Sequence, residues 1–515
     1  MRTPSPVSIL TALAALAVPG FPSFAEEKAL DIGSDRQLFF DDRLLDLERT
    51  EGVERTLNPP TRIRRVLEPE GPSEALSFIF YCSVVDHEGT AMLFHGSYDD
   101  EKGKHFRLAT SKDGIHWERP KLGLTDFRGG RDNNILPLHA VEASVFLDPN
   151  ASEDKRFRLL YSRHWPDPET AGVYVASSPD GIHWTESDRR VLPFVPDSQH
   201  CGLWDEKLGQ YVIYTRNWNP ERAVCRVAID EIEAPWPFDS SLPPHHVWGK
   251  EKIPTLSREL PTVIARDEQD PPGVQIYTNA VIRYPFAEDV YLAFPAAYQT
   301  FNGPEWRDRA LNGNDGNFDV QFASSRDGIT WERWRNPYVD AGHHDGLDLR
   351  LVSMGQGLIR RGRELHQYFI GWPHTHGRPV VWDKDLEDRA EWLKKDLGGI
   401  YCATQRVDGF VSMDAGFPGG KVTTRPIRFS GDRLLLNLHA AGSGGVKVAI
   451  LDEAGQPFPG FSASDCDWVN VDEIDSMVHW KSGADLGSLA GKAVRVEVTM
   501  RNARLFAMQF AEATK

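Results

Sequence analysis

Four carboxylates stand where strand-like runs begin or end. Asp42 closes Leu38-Phe39-Phe40-Asp41-Asp42, Glu142 lies within His139-Ala140-Val141-Glu142-Ala143, Asp197 precedes Ser198-Gln199-His200-Cys201, and Asp270, with Asp267, precedes a further run. Brought in pairs to one cleft, such groups divide a hydrolytic step between them. One protonates a leaving oxygen, while the other attacks or activates water. Burial and like-charge neighbours would raise the acid's pKa, but the sequence does not say which carboxylate that is. The plain alternative for each is a turn cap or a solvated loop carboxylate.

Side chains suited to gripping a polar ring recur in similar places: His95, Arg163, His164, Arg216, Tyr277, Asn279 and Tyr298, with Trp165 and Trp218 beside them. Aromatic faces cover C–H surfaces, and an Arg fork matches hydroxyl pairs or a carboxylate. Individually each is more often a packing residue. His343-His344-Asp345 and His374-Thr375-His376 suggest metal ligation, but His at i and i+2 in a loop lacks the helical spacing of a catalytic zinc pair. No metal or cofactor is expected.

A repeat supplies the elements that position these residues. Ala109-Thr-Ser-Lys-Asp-Gly-Ile-His-Trp117, Ala176-Ser-Ser-Pro-Asp-Gly-Ile-His-Trp184 and Ala323-Ser-Ser-Arg-Asp-Gly-Ile-Thr-Trp331 each follow a strand-like run. Asp-Gly is a tight-turn signal: Gly takes positive φ and the carboxylate caps nearby N–H groups. Each copy therefore reads as a hairpin whose Trp packs on the neighbouring strand. Asp113, Asp180 and Asp327 are spaced unevenly, the second gap being about twice the first, so a degraded copy is expected between the last two. Arg226-Val-Ala-Ile-Asp230 with Trp236 fits it, and Ala403-Thr-Gln-Arg-Val-Asp-Gly-Phe410 is a fifth, with Phe in the Trp role. Five units of about 74 residues, each with several short strands, read as propeller blades. In the second unit the strands fall at 139–148, 156–163, 172–178 and 182–186. An unclosed array of β-sandwiches is the alternative. Beyond residue 426 the hairpin motif stops and alternating runs such as Val494-Arg-Val-Glu-Val read as a β-sandwich. Helical character is confined to residues 384–397.

The start of the chain reads as a secretory signal: Arg2, an apolar run over 9–18, a Pro19-Gly20 break, and small residues at Ser23 and Ala25. The expected division is a signal peptide at 1–25, a propeller at 26–425 and a sandwich at 426–515, the mature protein being secreted or periplasmic and not held in a membrane. Five widely spaced cysteines form no evident disulfide framework. With 58 Lys+Arg against 75 Asp+Glu, the net charge of −17 argues against a general nucleic-acid binder.

Five such units, their Ser-x-Asp-Gly-x-x-Trp hairpins and the appended sandwich resemble the five-bladed β-propeller glycoside hydrolases of families 32, 43, 68, 117 and 130. Family 32 also carries a C-terminal β-sandwich. The hairpin is similar to the sialidase Asp-box too, although Asp and Gly are adjacent here where that box usually has a residue between them. The family 32 signatures Asn-Asp-Pro-Asn-Gly, Arg-Asp-Pro and Glu-Cys are missing as such. The resemblance implies an all-β fold, a carbohydrate substrate and catalytic carboxylates on the inner strands, with Asp42, Glu142, Asp197 and Asp270 as candidates. It makes Asp113, Asp180 and Asp327 structural. The expected activity is hydrolysis of glycosidic bonds in oligo- or polysaccharides, on a furanoside, deoxy or acidic sugar. A structural Ca²⁺ in the channel would suit the architecture, but no residue specifies one. The alternatives are a non-catalytic carbohydrate-binding propeller and a sialidase-like exo-hydrolase drawing on Arg65, Arg163, Arg216 and Tyr277, which five units disfavour. Linkage and oligomeric state stay open.

Overall fold

The computed structural model describes residues 28–163, 170–218, 221–237, 245–246, 252–253, 260–302, 314–377 and 396–512. Residues 1–25, read as a secretory signal, His164 with Trp165, and nearly all of the 384–397 stretch lie outside the described residues. Among those described, no helix is long and apolar enough to cross a membrane.

The chain is a five-bladed β-propeller followed by a C-terminal β-sandwich. Blade 1 is formed by Phe78–His87, Thr90–Tyr98 and Lys104–Ser111. Blade 2 has Val141–Leu147, Phe157–Arg163, Gly172–Ser178 and Thr185–Leu192 in sequential antiparallel order. Blade 3 has Cys201–Asp205, Gln210–Trp218 and Arg222–Ile229, and takes its fourth strand, Thr262–Ile264, from across a long connection. In blade 4 the inner strand is broken into Val274–Ile276 and Ile282–Arg283, and the outer strands are Gly316–Ser325 and Glu332–Val339. Blade 5 runs from Leu351–Met354 through Glu364–Trp372 to Gly399–Arg406, and its outer strand is Arg62–Leu67 from the start of the chain.

Backbone and amide hydrogen bonds tie the inner strands around the axis. Val84 N–H donates to Gln356 O at 2.9 Å and Gln356 N–H to Cys82 O at 3.0 Å, joining blade 5 to blade 1. Val145 N–H donates to Ser83 Oγ (2.9 Å), Gln199 Nε2 to Cys82 O (3.1 Å), Gln356 Nε2 to Gly202 O (2.9 Å) and Asn279 Nδ2 to Gln199 O (3.2 Å). Asn279 is thereby a tie between blades 3 and 4, buried to 1% exposure. Crossing the axis is how the buried side-chain N–H groups of Gln199, Asn279 and Gln356 find acceptors.

The Ser-x-Asp-Gly turns are built as their residue types dictate. Asp180 Oδ1 accepts from Ile182 N and His183 N, both at 2.8 Å, and Ser178 Oγ donates to it at 3.0 Å. Asp113 and Asp327 repeat the pattern. Gly114, Gly181 and Gly328 have φ of 78°, 74° and 68°, the left-handed region open to glycine.

The ring that follows each turn reaches beyond its own hairpin, which the sequence alone suggested it would serve, although the Trp184 N–H still donates to Gly181 O of its own turn at 3.0 Å. It packs on the preceding blade. Trp117 meets Tyr368 of blade 5 edge-on at 5.2 Å, Trp184 meets Phe94 of blade 1 at 6.1 Å, and Trp331 meets Tyr214 of blade 3 at 6.1 Å. The degraded copies keep that task. Trp236 lies against the core shared by blades 2 and 3, and Phe410 stacks on Phe322 of blade 4 at 5.5 Å. A twisted blade exposes an apolar face that only its neighbour can cover, and this is where the large rings are needed.

The C-terminal sheet is organised by two long strands, Arg433–Leu451 and Arg495–Ala511, whose pairing shifts register between Ala440 and Gly445. Alternate residues (Leu434, Leu436, Leu438; Val446, Val448, Ile450; Val494, Val496, Val498, Met500) point into one core, as the period of a strand requires. Four of the sheet's seven strands come from outside 426–515: Gln37–Leu38, Glu54–Leu57, Val411–Ala415 and Gly420–Thr423. Exposed strand edges attract pairing, and the segments flanking the propeller occupy them here.

Candidate active site

The inner strands enter the ring side by side, and their first residues crowd together at one mouth. Glu142 from blade 2 and Asp197 from blade 3 both act electrostatically on Tyr81 and Tyr98 of blade 1, as does Tyr277 of blade 4. Burial first, then these neighbours, push both tyrosines above their ordinary range. Glu142 and Asp197 also share a backbone peculiarity, with φ of 53° and 59°. A side chain in the left-handed region costs on the order of 1–2 kcal/mol and is retained where the surroundings impose it, commonly at functional sites.

Arg216, at the end of the second strand of blade 3, anchors the group. Its Nη1 donates to Asp197 Oδ2 at 3.0 Å and its Nη2 to Tyr277 O at 2.9 Å, and its guanidinium lies 4.1 Å from the Tyr277 ring centroid. Burial works against its charge, but Tyr277 and Asp197 outweigh it and hold Arg216 above its ordinary value. His376 closes the other side. Its Nδ1–H donates to Asn314 O at 2.7 Å, so Nε2 accepts from the Tyr277 hydroxyl at 3.0 Å, and burial lowers its pKa to about 4. Tyr298 donates to the same Asn314 O at 2.8 Å. The result is an acid pair, a buried cation and a wall of tyrosines. Such a mouth can transfer protons.

Of the residues singled out from sequence, the structure brings Glu142, Asp197, Arg216, Tyr277 and Tyr298 together. Asp42 is elsewhere: its exposed carboxylate pairs with Arg55, beside Asp41 and Arg326 at the outer edge of blade 4. Asp270 also faces away from the axis, held by Arg333 of the outer strand of blade 4 and by Asp267 N–H at 2.8 Å. A remote arginine claims each of them. Arg163 pairs with Glu186 at 2.6 Å and stacks on Tyr174 within its own blade. His95 is wholly buried, edge-on to Phe78, with its pKa lowered to about 3 by burial and then by Arg107. The pair His343 and His344 is used locally, by Asp348 and by Asp340 O, each at 2.8 Å. No cluster of three metal-ligating side chains occurs among the described residues.

Tyr81, Tyr98, Arg222 and His376 were not singled out as site residues. Tyr81 sits in the apolar run Phe78-Ile-Phe-Tyr-Cys-Ser-Val-Val and reads as core, and His376 as half of a poor metal pair. A cavity of about 940 Å³ opens at the other end of the inner strands, between Leu147, Leu203, Tyr284 and Leu358 and the covering Arg36 and Gln509. Neither Glu142 nor Asp197 lines it.

No protein-family model matches the chain, and no curated protein does. Solved structures similar to it include a thermostable family-43 glycoside hydrolase (13% identity, covering 65% of this chain and 92% of that one, TM-score 0.40). A glycosyl hydrolase from Bacteroides ovatus is similar at 12% identity, with 68% and 93% covered and a TM-score of 0.40. An N-acetylgalactosamine deacetylase from F. plautii, in complex with blood group B trisaccharide, is similar at 12% identity, with 70% and 97% covered and a TM-score of 0.40.

Proposed function

We propose that the protein is an exported glycoside hydrolase that cleaves glycosidic bonds of oligo- or polysaccharides at the mouth formed by Glu142, Asp197 and Arg216. The observation that carries this reading is the pair of carboxylates from adjacent inner strands, both held in left-handed backbone and both close to the same tyrosines. Hydrolysis of an acetal needs a proton on the leaving oxygen and a nucleophile or base on the opposite face. Asp197 is ion-paired to Arg216 and takes the second role, leaving Glu142 to protonate the leaving oxygen. Export rests on the apolar segment at residues 9–18.

The test is activity of the purified protein on a panel of oligosaccharides and nitrophenyl glycosides, followed by Glu142→Gln and Asp197→Asn. Loss of turnover in both, with Asp42→Asn fully active, is the expected pattern. Full activity in either site variant refutes the assignment. Binding of glycans by the wild type with no cleavage of any would mark a carbohydrate-binding propeller instead.

A further inference from the structure

The mouth contains a second guanidinium whose charge is answered differently from the others. Arg36, Arg107, Arg158, Arg216 and Arg333 are largely buried, and each has a carboxylate within ion-pair distance: Asp408, Glu74, Asp148, Asp197 and Asp270. Arg222, first residue of the third strand of blade 3, has none among the described residues. Its Nη1 donates to Gln275 Oε1 at 2.7 Å and its Nη2 to Asn314 Oδ1 at 3.1 Å, both neutral amide oxygens. Its Nε is buried without a partner. The group lies 4.7 Å from the Trp218 ring centroid, 5.2 Å from Tyr277 and 5.4 Å from Tyr298. Arg216 occupies the same Tyr277 ring at 4.1 Å. Burial and then Arg216 push Arg222 below its ordinary value.

Two cations thus share one phenol ring, and among the described residues one carboxylate, Asp197, stands within ion-pair distance of either, on Arg216. A desolvated charge lacking a counter-ion is costly, and an arriving anion relieves that cost. A guanidinium has five N–H donors, of which Arg222 uses two, so hydrogens remain on its terminal nitrogens for a forked contact. Arg222 stays partly exposed, as a group that must meet a ligand has to be.

We propose that Arg222 receives an anionic substituent of the bound sugar, a uronic acid carboxylate or a sulfate ester, which makes acidic glycans the substrate class. This rests on reading the mouth as a glycan site. Arg222 is a specificity residue, not one that handles the reacting atoms.

The test is calorimetric binding of trigalacturonic acid, of glucuronic-acid-bearing xylotriose, of the methyl ester of each, and of a sulfated galactotriose with its unsulfated parent. The full chain is used as wild type, Arg222→Gln and Arg222→Lys, with circular dichroism to confirm folding. The wild type should prefer at least one anionic glycan over its neutral counterpart by about tenfold or more. Arg222→Gln should abolish that preference while leaving neutral binding within about twofold, and Arg222→Lys should restore part of it. A preference for sulfate over carboxylate identifies the substituent and upholds the inference. Equal affinity for charged and neutral partners, no binding of any anionic glycan, or an undiminished preference in Arg222→Gln overturns it. The two readings separate cleanly. Tight, Arg222-dependent binding of acidic glycans without cleavage sinks the hydrolase, whereas cleavage of neutral glycans alone sinks the inference.

Discussion

The joint between blades 3 and 4 lends itself to a quantitative perturbation, Gly328→Ala. Gly328 has φ of 68°, and a methyl there would run into the Tyr214 hydroxyl, while the next nearest atoms, on the Tyr291 ring, are 3.3 and 3.4 Å away. Forcing an L side chain into the left-handed region costs about 1 kcal/mol or somewhat more. Displacing the Tyr214 hydroxyl also breaks its 2.8 Å hydrogen bond to Gly328 O inside a fully buried site, a further loss of about 1–3 kcal/mol. The single variant should therefore lose about 2–4 kcal/mol. Tyr214→Phe alone should lose about 1 kcal/mol for the hydrogen bond to Gly328 O, together with a contact to Arg226. In the double variant the hydroxyl is gone before the methyl arrives, so its total should fall short of the sum by about 1 kcal/mol or more. Guanidinium unfolding followed by tryptophan fluorescence measures all three. Additivity within about 0.3 kcal/mol would show that the hydroxyl is not what the methyl meets, and the joint would have to be redrawn.

Glu142→Gln and Asp197→Asn should each lower kcat by about 10²–10⁴-fold on a cleaved glycoside, read by steady-state kinetics alongside an unchanged melting temperature. Asp180 gives an acid-stability test. Burial alone would raise its pKa, but hydrogen bonds from His183 and Ile182 outweigh it and bring the carboxyl to about 2 from 3.8. A lowered folded-state value means stability that is present above about pH 4 and is lost as pH falls toward 2. The side chain is 43% exposed, so solvent screening leaves about 1 kcal/mol of this. Asp180→Asn should thus differ from wild type in urea midpoint at pH 6 and approach it near pH 2.5, and a pH-independent difference counts against the carboxylate. All five cysteines are buried and free, and burial pushes Cys82, Cys225 and Cys402 up to about 12. The folded protein should leave a thiol-reactive dye uncoloured at pH 8, and the denatured chain should titrate five.

What could be read from sequence was local, and what could not was contact across the chain. The turns at Asp113, Asp180 and Asp327 announce themselves because Asp, Gly and Ser act on backbone two or three residues away. The five-unit count follows, since even the degraded copies keep an aromatic in register. The residues around Trp184 point only to its own hairpin, and nothing among them names Phe94 of the neighbouring blade. Glu142 and Asp42 are both carboxylates in strand-like runs. Only the distant Arg55 separates one from the other. Tyr81 and Arg222 carry no local signal for a related reason: a tyrosine in an apolar strand and an arginine at a strand start are ordinary until three blades meet around them.

The fifth blade takes Arg62–Leu67 against Gly399–Arg406, strands more than 300 residues apart along the chain. During synthesis at about 5–20 residues per second, the early strand must wait some tens of seconds for its partner to be made. Through that interval its backbone edge is unpaired, and so is the edge strand Glu54–Leu57, whose partner Val411–Ala415 arrives just afterwards. Four arginines and one glutamate across Arg62-Ile-Arg-Arg and Glu54-Arg55 keep those waiting edges charged, which is how a strand avoids pairing with the wrong chain. Ring closure is then a late event that completes propeller and sandwich almost together, and the carboxylates at the mouth come into register when it happens.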